Sequence, residues 1–136
     1  MVRDIVKDQF LLSQKSVMTT KADIEIITDL TDTLLAHKGH CVGMAANMIG
    51  FCKRIIAFYA GEQMIVMINP EYMQCRIPYM VEEGCLCHEG VKEVQRFQKV
   101  KIAYEDETFK KKIKTFQGFE AEIIQHEMDH LEGILV

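Results

Sequence analysis

The pentapeptide His126-Glu127-Met128-Asp129-His130 constrains this chain more than any other stretch. On an α-helix, residues four apart lie on one face, so His126 and His130 can hold one metal ion between them. Glu127 projects from the same side, placed to move protons on water at such an ion. Two imidazoles and a carboxylate in this order point to hydrolytic metal chemistry. The rest of the chain must then supply a third ligand, a donor for the charge that builds on a substrate oxygen, and a helix buried deeply enough to shelter the site.

The flanking residues fit such a helix, predicted from about Phe119 to just before Gly133. Phe119, Ile123, His126, Glu127 and His130 form one stripe, and Ala121, Ile124, Met128 and Leu131 form another. Glu122, Gln125, Asp129 and Glu132 lie between them as a polar strip. A helix apolar on two sides is mostly buried, which turns the histidines inward.

Upstream, apolar positions at helical spacing (Ile24, Ile27, Leu30, Leu34, Leu35) predict a helix over about 21–38. Thr20 with Asp23 three residues on resembles a capping box, and Gly39 suits the stop. The segments 54–59 and 64–68 read as strands joined by a hairpin through 60–63. Val100, Ile102 and Tyr104 alternate with polar neighbours as in a half-buried strand, and Phe109 and Ile113 fit a return strand. The order helix, strands, helix gives an α+β class, with one domain over 1–136 and an antiparallel sheet beside the last helix.

Composition narrows the function classes. A net charge of −4 gives no global pull toward nucleic acid or an anionic membrane. No apolar run reaches the ~18 residues that a membrane span needs. The first sixteen residues lack the apolar stretch and small-residue cleavage site of a secretory signal. The five cysteines are an odd number without a CxxC pair, which suits reduced thiols in a cytoplasmic protein.

Two further segments carry chemistry. Glu82-Glu83-Gly84-Cys85-Leu86-Cys87-His88 offers a thiolate as third ligand, and Cys with two His leaves a fourth position open for water. Cys87 and His88 compete with Cys85 for that role; in an extended segment Cys85 and Cys87 share a face and His88 points away. In Cys41-Val42-Gly43-Met44-Ala45-Ala46-Asn47-Met48, small residues let the backbone pass close to a neighbour.

Taken together, GMAANMIG, EEGCLC and QHEMDHLEG resemble, in order and separation, the three signatures of the peptide deformylases. MINPE and the GILV ending resemble the family's connecting sequence. The resemblance implies a small α+β fold around a central HExxH helix and removal of the formyl group from the N-terminal methionine of nascent chains. It implies metal ligands Cys85, His126 and His130, with Glu127 as acid/base and the Leu86 backbone N–H holding the developing oxyanion. The implied ion is Fe²⁺, with Zn²⁺, Ni²⁺ or Co²⁺ able to replace it. Gly43 is expected to shape the pocket wall. Glu83 is expected at the substrate pocket, paired with Arg96 to buttress the Cys85 loop. The implied partners are N-formylmethionyl nascent peptides and, transiently, the ribosome; the expected state is a monomer, with no DNA or membrane.

The chain departs from the family's pattern in three places. Its first signature begins with Cys41 rather than Gly and ends with Met48 rather than Gln. The Gln amide donates to the formyl oxygen, and loss of one such donor typically costs ~100- to 1,000-fold in turnover. Cys87 stands where the second signature usually has Ser. Met44 and Met48 are expected to line a soft pocket for a methionine side chain, with core filling as the competing role. Three readings follow. The first is a deformylase slowed by Met48. The second is a metal-binding paralogue that binds formylated N-termini or the ribosome. The third is an amide hydrolase retuned for another acyl group. Lys110, Lys111, Lys112 and Lys114 form a small basic patch that suits either ribosomal RNA or a solvated edge strand.

Overall fold

The run Ile55-Ile56-Ala57-Phe58 has no polar position, and all four residues are buried. It is a strand covered on both faces. In the computed structural model of the chain, which describes residues 1–136, this strand lies within a five-stranded sheet. The strands are β1 (Gly43–Ala45), β2 (Ile55–Ala60), β3 (Gln63–Cys85), β4 (His88–Glu105) and β5 (Lys111–Gln117). Sheet order follows chain order, and every neighbouring pair is antiparallel. The hairpin expected through 60–63 is present, with Ile55 opposite Ile68 and Phe58 opposite Ile65.

The sequence reading stops the second strand of that hairpin at Ile68, whereas β3 continues to Cys85 and pairs with β4 along almost its whole length. This extension is hard to read because it does not alternate cleanly. Tyr72, Met73, Ile77 and Met80 are all exposed on it, as is Val91 on the facing β4. Register shifts fall between Ile68 and Glu71 and between Tyr72 and Gln74, near Pro70, which has no N–H to give the ladder. Bulges bend a strand. At the far end of this ribbon, the turn at Leu86 and Cys87 lies against the last helix.

Three helices complete the fold: α1 (Gln9–Leu12), α2 (Ile24–Ala36) and α3 (Gly118–Leu131). Before α2, a 3₁₀ turn over Lys21–Asp23 carries the expected capping box: Asp23 accepts from the Thr20 N–H at 2.9 Å and the Thr20 hydroxyl accepts from the Ala22 N–H at 3.3 Å. The core stripe of α2 is narrower than expected. Ile27, Leu30 and Leu34 are buried, while Ile24 and Leu35 face solvent.

Both apolar sides of α3 are covered, as its pattern requires. Ala121, Ile123, Ile124, Met128 and Leu131 are buried, each large side chain contributing ~1.5–3 kcal/mol. Two assignments within the helix change. Phe119 is exposed at its start. Gln125 is buried, because its amide completes the backbone pairing of β4: its oxygen accepts from the Phe97 N–H at 2.7 Å and its nitrogen donates to the Phe97 carbonyl at 2.8 Å. After α3, Gly133 adopts φ +76 directly against the Ser13 backbone, where a side chain has no room.

Candidate active site

Helical spacing places His126, Glu127 and His130 on the inner side of α3, and all three are buried. The end of β3 brings Cys85 to them. Its Sγ lies 3.3 Å from His130 Nε2, which in turn lies 3.3 Å from His126 Nε2. His88 points elsewhere, its ring against the carbonyl of Val136. The sequence reading left Cys85, Cys87 and His88 in competition; the two thiols are both at the site and the imidazole is not.

A buried ionic chain fixes His126. Its Nδ1 donates to Glu83 Oε1 at 2.7 Å. Arg96 grips both oxygens of Glu83, at 2.8 Å through Nη2 and 3.1 Å through Nε, and reaches Asp129 at 2.7 Å through Nη1. The Glu83–Arg96 pair expected from sequence is thus present. Both Glu83 oxygens are taken up in it, so although Glu83 borders the cavity, it is committed to holding His126. Asp129 was not singled out in the sequence, because its partner comes from β4 and no local pattern links the two.

An open cavity of about 450 Å³ adjoins these residues. Val42, Gly43, Cys85, Leu86, Phe119 and Glu127 are among its walls. Gly43 is required by close approach. A Cβ there would stand 2.7 Å from Ile123 Cγ2 and 3.0 Å from Glu127 Oε2. Cys41 also lines the cavity, its thiol donating to the Gly43 carbonyl at 2.8 Å. Burial pushes that thiol up to about 12, so it stays neutral.

Met44 and Met48 do not line this cavity; both are core residues at 0 % and 1 % exposure. The Met48 thioether accepts from the Ala45 N–H at 3.4 Å. Asn47 turns its amide to the His130 carbonyl at 2.8 Å and so pins the end of α3. Neither residue offers an N–H to the cavity.

Electrostatics set the groups apart. Burial pushes the Glu127 carboxyl up to about 7, against the pull of His126 and His130. The hydrogen bond from Cys87 holds the Cys85 thiol far below its usual range, with help from both imidazoles and against the cost of burial. Burial opposes charge on His126, yet Cys85 and Glu83 raise it to about 10.

These residues fit a borderline-soft divalent ion. A thiolate sulfur and two imidazole nitrogens converge within hydrogen-bonding range of one another, and the second nitrogen of His126 is fixed by a carboxylate. Beside them, Glu127 Oε1 is buried with no hydrogen-bond partner.

A soft-ligand cluster with a buried carboxylate beside an open cavity defines a class, the metal-dependent hydrolases. Comparison with known proteins narrows it. The profile of the polypeptide deformylases matches residues 2–136. A peptide deformylase of Clostridium beijerinckii is 48% identical over the full length of both chains. One of Aquifex aeolicus is 36% identical, over 98% of this chain and 85% of its own. Among solved structures, a class I type b peptide deformylase from Acinetobacter baumannii with Met-Ala-Ser bound superposes with a TM-score of 0.89 at 28% identity, over 99% of this chain and 96% of its own. The peptide deformylase of Thermotoga maritima gives 0.88 at 29%, covering 99% and 94%.

The chain belongs to the polypeptide deformylase family. It is a metal-dependent hydrolase that removes the formyl group from the N-terminus of nascent peptides. The reading as a binding paralogue without turnover is not favoured by these relatives. No helix is long and apolar enough to cross a membrane.

Proposed function

We propose that Cys85, His126 and His130 hold one divalent ion, ferrous iron in the cell, and that Glu127 is the acid/base of deformylation. The observation that carries this reading is the convergence of one sulfur and two Nε2 atoms beside a buried, partnerless carboxylate oxygen. When bound, the ion supplies a Lewis acid and lowers the pKa of water at its open position.

The chain's own residues do the rest. Glu83 and Arg96 keep the His126 ring oriented through Nδ1, leaving Nε2 for the ion. Glu127, raised to about 7, sits at the midpoint a general base needs near neutral pH. It takes a proton from the attacking water and returns it to the departing amine. Water adds to the formyl carbon, the C–N bond breaks, and formate and a free N-terminal amine result. The backbone N–H of Leu86, in the turn beside Cys85, faces the formyl oxygen as charge builds there. Gly43 lets Glu127 approach the wall of the cavity.

A peptide beginning with formyl-Met fits the cavity next to Glu127 and Leu86, in keeping with the Met-Ala-Ser held by the Acinetobacter relative. With Met48 turned back on Ala45, the second oxyanion donor of the family's pattern is missing, so turnover is slower than in chains with Gln there. The working form is a cytoplasmic monomer that meets its substrates at the ribosome. The exposed lysines of β5 favour contact with RNA phosphates, although Lys112 also pairs with Asp106 at 3.5 Å.

The test is metal content and formate release measured together. His130→Ala is expected to lose both. Glu127→Gln is expected to keep the metal and lose at least ~100-fold in kcat. A His130→Ala protein that still binds one metal per chain at the same affinity contradicts the ligand set.

A further inference from the structure

Cys87 is a buried thiol that deformylation does not use, 3% exposed in the turn next to Cys85. Its Sγ lies 3.2 Å from that of Cys85. The ligand atoms of Cys85, Cys87 and His130 all fall within 4.8 Å of one another, and His126 Nε2 lies 3.3 Å from His130 Nε2. Four donors at 2.0–2.3 Å from a tetrahedral ion stand roughly 3.3–3.8 Å apart. The imidazole pair at 3.3 Å already stands at the short end of that range, whereas two sulfurs bound at about 2.3 Å stand about 3.8 Å apart, so Cys85 and Cys87, at 3.2 Å, must part by about half an ångström. His126 stands outside the three mutually close ligands and is tied to them through His130, so its ring must turn toward Cys87 as the sulfurs part to admit an ion. Leu86 and Cys87 form the two-residue turn that joins β3 to β4.

We propose that Cys87 is a fourth, displaceable metal ligand. With Cys85, His126 and His130 it completes a Cys₂His₂ set around zinc. That set is the closed arrangement of structural zinc sites, whereas catalytic sites keep one position open. Two thiolates favour zinc over ferrous iron, which is content with harder donors. The zinc-loaded chain thus has a resting state in which Cys87 fills the position that water needs, and Cys87 must leave before a formyl group is attacked. When the metal–sulfur bond forms, the thiol proton goes to solvent; when Cys87 leaves, it takes one back. A Ser at this position, as in the family's usual second signature, is a far poorer zinc ligand and leaves the position open. The competing role for Cys87 is a simple S–H donor to the Cys85 thiolate.

This inference rests on the ligand set of the proposed function. The test is X-ray absorption on the full-length chain loaded with one zinc under reducing conditions, beside its Cys87→Ser variant. The expected result is two sulfurs and two imidazoles per zinc in the wild type, one sulfur in the variant, and zinc held at least tenfold more weakly by the variant in chelator competition. One sulfur with two imidazoles in the wild type overturns the role of Cys87 alone. A wild type that binds no stoichiometric zinc, or binds it without imidazole, overturns the ligand set itself.

Discussion

Met48 shows how a single side chain sets what this site can do. Its sulfur accepts the Ala45 N–H, a bond that the oxygen of a glutamine amide can also accept, leaving the NH₂ group free to donate. Met48→Gln is therefore expected to raise kcat for formyl-peptide hydrolysis at least tenfold with little change in metal affinity; an unchanged or lower kcat would show that the donor is supplied from elsewhere. Gly43 sets the opposite limit. Gly43→Ala places a methyl group 3.0 Å from Glu127 Oε2 and 2.7 Å from Ile123, so a drop of at least tenfold in kcat with metal retained is expected in a formate assay. These residue-level features differ in how far sequence could reveal them. HExxH announces itself, because helical geometry makes its spacing a statement about space. Met48 and Met44 carry no such geometry, and whether a methionine faces a pocket or a core is decided by packing.

Among the elements, α3 was legible, whereas of the β3–β4 ribbon only 64–68 and the alternation at Val100, Ile102 and Tyr104 were. The two apolar stripes of α3 gave its extent and its burial, and the inward turn of its histidines followed. Only Phe119 and Gln125 changed sides, one exposed in the first turn and one because Phe97 needed a partner. The rest of the ribbon hid because it is wet on much of both faces and its register slips three times. The end of β3 nevertheless delivers Cys85, and the ribbon's interior delivers Glu83 and Arg96, so the proposed third ligand was legible as a residue type but its route to the site was not. Removing Arg96 leaves Glu83 and Asp129 without their shared cation. Arg96→Ala is expected to cost ~3–5 kcal/mol in denaturant unfolding; a loss below 1 kcal/mol would mean the chain of charges bears no weight.

The same element predicts an acid limit. The hydrogen bonds from His126 and Arg96 outweigh burial and hold Glu83 at about 2, below its usual 4.5. Its contribution is complete above about pH 5 and disappears as the pH falls toward 2, because the unfolded chain takes up the proton first. In metal-free protein, stability across that window should fall by roughly 1–2 kcal/mol more in the wild type than in Glu83→Gln. Parallel curves for the two proteins would contradict the assignment.

For the whole molecule, fold and ion are coupled. The proposed ligands come from the end of β3 and from α3, elements far apart in sequence, so an ion bound only by the folded chain stabilises the entire structure. At a hundred times Kd the gain is ~2.7 kcal/mol. The central claim is that these coupled parts perform deformylation, and the direct measurement is formate release from formyl-Met-Ala-Ser by anaerobically prepared, Fe²⁺-loaded protein with its metal content measured in the same sample. One metal per chain is expected, with release that disappears in Glu127→Ala. No formate from fully metallated wild type, or equal release by the Glu127→Ala protein, would contradict it.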